Sequence, residues 1–364
     1  MKKRIHRPIL TLLLLLLTFG ATAQECLYIA KWSFTPGGEM DYFTIALENG
    51  EYSDYTAYEF NIILPPGLEL AYDEGEPEIY ISEEDDVYTA RRDDHIVSCR
   101  THPGFVKIIC YSPSNKTIAT SGNLVDIYVT PSPYLKPGKI DITLRDVSFS
   151  RTDATGNTVS EMILEGLTAE ATSTLPVKVS ATNKYSTAVF PFDVETIPAG
   201  LKICSCNSTD GENLVLTPQS SAKAYTPYIL YAPNGFSGTF SGSVDASKYS
   251  ETVTAGYLSG TITEREISGG EGHYVMQNKG DGPMFYKVTD TSFSIPAGKC
   301  WLTLPANLQG SALFRLDGTT GLSEVKGESG EVKAVYDLTG RKVNVENGKL
   351  KGLYIVDGKK VLVK

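Results

Sequence analysis

Ten carboxylates crowd into residues 73–94: Asp73-Glu74, Glu76, Glu78, Glu83-Glu84-Asp85-Asp86 and Asp93-Asp94. Carboxylate-rich loops can supply the roughly six to eight oxygens that Ca2+ takes, so a calcium site is one reading of this run. Its spacing is not that of an EF-hand. A pair of glycosidase carboxylates, held about 5 to 9.5 Å apart across a scissile bond, is a second reading. The third needs no ligand: a charged, solvated edge keeps a strand from pairing with other chains. The sequence favours this third reading, because Glu dominates where calcium loops prefer Asp and Asn, and a β-sandwich with this many acids offers a carboxylate pair by chance.

Other chemistry is sparse. Beyond residue 23 there are three histidines, His95, His102 and His273, and no two have the spacing of a metal pair. Each reads as a solvated loop residue, with His102 in a Pro-Gly turn. No G-x-S-x-G elbow, P-loop or G-x-G-x-x-G fingerprint occurs. Catalytic residues, cofactor ligands and metal ligands are therefore not assigned, with Ca2+ the one cofactor kept in view. Cys204-Ser-Cys206 is one residue too tight for C-x-x-C and reads as two buried thiols on one strand face. Cys99 and Cys110 flank the turn Thr101-His102-Pro103-Gly104, where a bridge between neighbouring strands is open.

Aromatic residues are the remaining candidates. Sugar-binding surfaces stack pyranose rings on exposed Trp or Tyr, joining apolar area to a polar rim. Tyr58 alternates with Phe60 and Ile62 and belongs to a core. Tyr52 and Tyr55 lie in the polar stretch 51–56, and Trp32 follows the first strand; these three are the ligand candidates.

The elements that must position these residues are strands. Tyr42, Thr44, Ala46 alternate with Phe43, Ile45, Leu47, and residues 57–64 alternate before Pro65-Pro66-Gly67. Runs at 105–111, 124–129 and 140–149 follow, each bounded by Gly, Pro, Asn or Ser. Period-2 segments separated by turn signals predict an antiparallel sandwich, and no 3.6-residue period persists for two turns.

The chain of 364 residues carries a net charge of −10, and 33 glycines with 19 prolines make it turn-rich. Its length suggests two or three domains. The charge is unevenly placed. Residues 24–171 hold 25 acids and 10 bases, whereas residues 172–364 hold 18 acids and 19 bases. Such acidity argues against nucleic acid and anionic membranes, which require clustered Lys and Arg. Residues 1–23 have a basic start, an apolar run from Ile9 to Phe19 and the small triplet Ala21-Thr22-Ala23, which together predict a cleavable signal peptide cut between Ala23 and Gln24. The run is too short for a hydrocarbon core of roughly 30 Å, and no other stretch reaches 18 apolar residues, so no transmembrane span is expected.

Residues 24–171 are similar to the cohesin-like domain of bacterial surface proteins. The likeness rests on Tyr58-Glu-Phe-Asn-Ile-Ile-Leu-Pro-Pro-Gly-Leu68, Cys110-Tyr-Ser-Pro-Ser-Asn115, Gly122-Asn-Leu-Val-Asp-Ile127 and Val147-Ser-Phe-Ser150. It implies a jelly-roll β-sandwich related in fold to carbohydrate-binding modules, acting in dockerin recognition or in glycan-associated assemblies. These are mostly packing and turn residues, which speak to fold rather than to partner.

Residues 172–312 resemble a β-rich module of exported Bacteroidetes proteins, through Ala188-Val-Phe-Pro-Phe192, Thr226-Pro-Tyr-Ile-Leu230, Met284-Phe-Tyr-Lys287 and Ile295-Pro-Ala-Gly-Lys-Cys-Trp-Leu302. Thr196-Ile-Pro-Ala-Gly200 and Ser294-Ile-Pro-Ala-Gly298 read as one recurring turn that opens a strand. After a linker at 313–330, residues 331–364 resemble the C-terminal sorting domain of type IX secretion, a small β-sandwich. Tyr336-Asp-Leu-Thr-Gly-Arg341, Lys351-Gly-Leu-Tyr-Ile-Val356 and the terminal Lys359-Lys-Val-Leu-Val-Lys364 carry that likeness. It implies an address read by the secretion machinery.

The sequence therefore predicts an all-β, non-catalytic, secreted or cell-surface binding protein. Carbohydrate is the leading ligand. Protein–protein adhesion of the cohesin–dockerin type is the alternative, and a glycoside hydrolase is the third class.

Overall fold

The structure is a computed structural model. It describes residues 26–48, 54–82, 94–118, 121–152, 155–270 and 272–316, and the short strands at 335–336, 342–343, 352–356 and 359–363. Every regular element among them is a strand or a single 3-10 turn.

The first module is a two-layer sandwich. Its strands are β1 (Cys26–Ile29), β2 (Trp32–Phe34), β3 (Asp41–Glu48), β4 (Tyr55–Ile63), β5 (Leu68–Leu70), β6 (Tyr72–Asp73), β7 (Glu76–Pro77), β8 (Ile79–Ile81), β9 (Ile96–His102), β10 (Phe105–Tyr111), β11 (Gly122–Pro131), β12 (Gly138–Arg151) and β13 (Thr155–Ala169). Sheet A runs β1-β3-β11-β5, with β8 also on β11. Sheet B runs β2-β13-β12-β4-β10-β9. The expected strands at 42–47, 105–111, 124–129 and 140–149 all lie in these sheets.

Alternation explains the layering, since each strand turns every second residue inward. Phe43, Ile45 and Leu47 of β3, Phe60 and Ile62 of β4, and Ile140, Ile142 and Leu144 of β12 fill one core between the sheets. At about 25 cal/mol per Å2 of apolar surface removed from water, this shared core is the main stabilising term of the module. The parallel pairing of β2 with β13 joins the start of the sandwich to its end: Trp32, Ser33 and Phe34 lie opposite Leu167, Thr168 and Ala169.

Two residues separate β13 from the first strand of the second module. Strand Thr172–Val179 pairs with Phe236–Ser243, ten further strands form one sheet, and the buried side chains of the module fall into three clusters. One core contains Val189, Phe190, Leu230 and Phe240. A second contains Cys206, Ile229, Tyr274, Phe285 and Phe314, and a third contains Ile267, Val275, Val288, Ile295 and Trp301. The recurring Pro-Ala-Gly turn is real: Leu201 N–H donates to the Pro198 carbonyl and Lys299 N–H to that of Pro296, at 3.2 Å each. Gly200 and Gly298 take φ of 89° and 72° there, which a side chain disfavours.

Strand Leu313–Arg315 hydrogen-bonds into the ten-stranded sheet, and Leu316 is fully buried. Residues 313–316, expected to begin the linker, instead belong to this sheet and its core, which Phe314 and Leu316 help to fill. Further along, Val335–Tyr336, Lys342–Val343, Gly352–Val356 and Lys359–Val363 form one antiparallel four-stranded sheet.

Tyr134, in the loop between β11 and β12, leaves its own module and enters the core of the second. Its hydroxyl donates to the Val189 carbonyl at 2.8 Å. Ser173 Oγ donates to the Pro133 carbonyl at 2.7 Å, and Thr174 Oγ1 donates to that of Gly37 at 2.7 Å. These bonds fasten the two modules together at their junction.

Candidate functional site

The two outer faces of the sandwich differ in chemistry. Sheet B is laced with ion pairs: Lys107–Glu59 at 3.0 Å, Arg145–Glu161 at 2.9 Å, and Lys139 with Asp141 at 3.2 Å and Glu165 at 2.6 Å. All are solvated, and such pairs contribute roughly 0–1 kcal/mol each. Exposed Ile96, Tyr111 and Ile163 lie among them.

Sheet A presents tyrosines instead. The register places Tyr42 opposite Tyr128, and Asp126 between Thr44 on one side and Tyr80 on the other. Rings of Tyr42 and Tyr128 are 5.0 Å apart at 31°, and those of Tyr80 and Tyr128 are 5.7 Å apart at 83°. Tyr80 is 49% exposed, and Tyr28 on β1 is 39% exposed. Beneath the rings, Asp126 is only 6% exposed and accepts a 2.6 Å bond from Thr44 Oγ1. Aromatic area with polar groups set between the rings is the composition of a binding surface.

Of the three aromatic candidates from the sequence, Trp32 is exposed at 47%, and its indole N–H donates to Asp41 Oδ2 at 3.1 Å. Tyr52 lies outside the described residues. Tyr55 is corrected: it is fully buried, with its ring 5.0 Å from that of Phe149. The cause is a bulge. Ser150 and Arg151 of β12 face Ala57 and Tyr55 of β4, so β4 carries one extra residue at Thr56. That extra residue turns Tyr55 to the same side as Tyr58. No solvent-borne ligand reaches it.

The acidic run divides. Asp73 and Glu76 face each other across a tight exposed hairpin, with Glu74 and Gly75 in left-handed conformations at φ 49° and 92°. Residues 83–93 lie outside the described residues. Among the described residues, no group of three His, Cys, Asp or Glu is placed to hold a metal. Asp94 accepts hydrogen bonds from the Ser112 and Ser114 hydroxyls, the latter at 2.5 Å, and these bonds hold its carboxyl below the usual value of 3.8.

A cleft of about 370 Å3 lies between the modules, with Pro66, Glu69 and Ser132 on one wall and Thr263, Glu264 and Pro296 on the other. Its lining includes no aromatic ring and none of the 73–94 carboxylates. Glu264 is engaged by Ser294 Oγ at 2.5 Å.

Two histidines are also corrected. His95 is buried against the sandwich, and His273 lies in a strand with Nδ1 3.1 Å from the Ser268 carbonyl and its ring edge-on to Trp301. The amphipathic imidazole packs its carbon face while its nitrogens remain hydrogen-bonding groups. His102 stacks on Phe105 at 4.7 Å beside the turn. The Cys99–Cys110 bridge does not form: Cys99 lies opposite Ile108 and Cys110 opposite Val97. Cys204 and Cys206 are buried free thiols of one core, pushed up to about 11 and about 12 by burial.

Tyr42, Tyr80 and Tyr128 were not singled out by sequence reasoning. The signal was present: Tyr42 shares the outward register with Thr44, and Tyr128 shares it with Asp126. Only the pairing of strands more than forty residues apart brings the three together.

No protein-family profile matches the chain, and no curated protein does. Among solved structures it is similar to a non-cellulosomal cohesin from the archaeon Archaeoglobus fulgidus, at 13% identity and TM-score 0.29 over 40% of this chain and 91% of that one. It is also similar to a type I cohesin–dockerin complex from Clostridium thermocellum, at 14% identity and TM-score 0.31 over 39% and 98%. A third is the cohesin module of a family 33 glycoside hydrolase from Clostridium perfringens, at 14% identity and TM-score 0.29 over 40% and 100%.

Proposed function

We propose that this chain is an exported, non-catalytic surface-binding protein whose first module holds a glycan on the outer face of sheet A. The observation that carries this reading is the contiguous set Tyr42, Tyr128 and Tyr80 around the Thr44–Asp126 pair. The leader at 1–23 and the sorting-domain resemblance at 331–364 supply the route to the outer surface. A carbohydrate array probed with the chain from Gln24 tests the reading. A hit that Tyr80→Ala weakens supports it, and a blank array overturns it.

A second reading is a protein partner, as the cohesin resemblance implies. Exposed Ile163, Ile96 and Tyr111 set among charges on sheet B favour it, since apolar anchors ringed by polar groups are the composition of a protein interface. Co-precipitation of a surface protein that Ile163→Asp abolishes, with the array signal unchanged, supports that reading.

A further inference from the structure

We propose that the tyrosine face of sheet A takes a single, uncharged saccharide chain in solution and rejects both anionic glycans and flat crystalline ones. This rests on the glycan reading above and adds which glycans the face selects. Two independent observations carry it.

The first is the angle between the rings. A crystalline polysaccharide presents a flat sheet of sugars, which only coplanar rings can cover together. Here Tyr42 and Tyr128 differ by 31°, and Tyr80 stands at 83° to Tyr128. A sugar laid on one ring plane therefore meets the next ring from the side. Such a corner closes around one chain and touches a flat surface only at a ring edge, which forfeits most of the stacking area.

The second is charge. No strand of sheet A contains a Lys or Arg, whereas those strands carry Asp41, Glu48, Glu69 and Asp126. The adjoining β6–β7 hairpin adds Asp73, Glu74 and Glu76. A uronic or sulfated chain would bring its own anions to this face with no cation on these strands to receive them, and like-charge juxtaposition is a strong device for exclusion. Neutral sugars instead bring hydroxyl donors, which carboxylates accept.

The test uses the whole chain from Gln24 in native affinity gels containing galactomannan, arabinoxylan, mixed-linkage glucan or polygalacturonate, together with co-sedimentation on crystalline cellulose. The expected result is retardation by at least one neutral polysaccharide, weakened about tenfold or more in Tyr80→Ala and Tyr128→Ala. Tyr80→Phe keeps the ring and is expected to retain most of the binding. Polygalacturonate and crystalline cellulose are expected to leave the protein unbound. Retardation by polygalacturonate, or sedimentation with cellulose, that Tyr80→Ala abolishes would overturn this proposal and leave the glycan reading standing. No retardation in any gel overturns both. Retardation unchanged by Tyr80→Ala places the ligand elsewhere and overturns this site. Because Tyr80 is half exposed, its alanine variant folds, and a melting curve matching the parent verifies that.

Discussion

The Tyr134 hydroxyl of the first module is bonded to the Val189 carbonyl of the second, and Gly298 lies against the same phenol ring. A side chain from one sandwich thus completes the core of its neighbour, and burial pushes its phenol far above the ordinary range. Tyr134→Phe leaves a buried carbonyl without its donor and should cost about 1–3 kcal/mol in urea unfolding. Gly298→Ala should cost more, because a Cβ there would overlap the Tyr134 ring at a backbone φ of 72°. Tyr134→Ala should also separate one unfolding transition into two when fluorescence and far-UV dichroism are followed together. A single coincident transition in that variant would mean the modules are coupled by other contacts.

Tyr55 and Tyr80 should behave as opposites. Tyr55→Ala empties a fully buried site beside Phe149 and should destabilise by about 3–5 kcal/mol. Tyr80→Ala on the exposed face should change stability by less than about 1 kcal/mol. Equal losses in chemical denaturation would refute the assignment of one to packing and the other to the surface.

The thiols should be silent in the native protein. Burial pushes Cys204 up to about 11, and Cys206 and Cys300 up to about 12, so little thiolate exists at pH 8. Titration with a thiol-disulfide reagent at that pH should leave all three unmodified until denaturant is added. Cys99, only partly buried and also raised by burial and by Glu76, should react slowly.

Asp94 offers a pH signature. Hydrogen bonds from Ser112 and Ser114 depress its carboxyl below 3.8 in the folded state. The unfolded state therefore binds the proton more readily, so this group's contribution is complete above the unfolded value and is lost as pH falls through the folded one. Carboxyl NMR titration should find Asp94 below 3.8, and Ser112→Ala should move it upward. An unchanged value in that variant would show that Ser112 does not set it.

Much of the fold was legible, because alternation at 42–47, 57–64 and 140–149 is a local property of the chain. Tyr55 was misplaced for a physical reason: period-2 counting assumes an unbroken ladder, and the extra residue at Thr56 is visible only when β4 lies against β12. The site was half legible. Tyr42 and Tyr128 could each be assigned outward from the neighbours that alternate with them. Their 5.0 Å approach depends on β3 and β11 pairing across more than eighty residues of chain. Phe314 and Leu316 were placed in a linker because a three-residue strand carries too little periodicity to register.

The pairing of β2 with β13 has a mechanical meaning. The strands are parallel, β2 being the second strand of the sandwich and β13 its last. A pull between the N-terminal side of Trp32 and the C-terminal side of Ala169 runs along both strands in opposite senses. Their bonds are then sheared together rather than opened one after another. Tension applied between those two points meets collective resistance, with the buried Phe34 and Leu167 side chains anchoring each strand to the core.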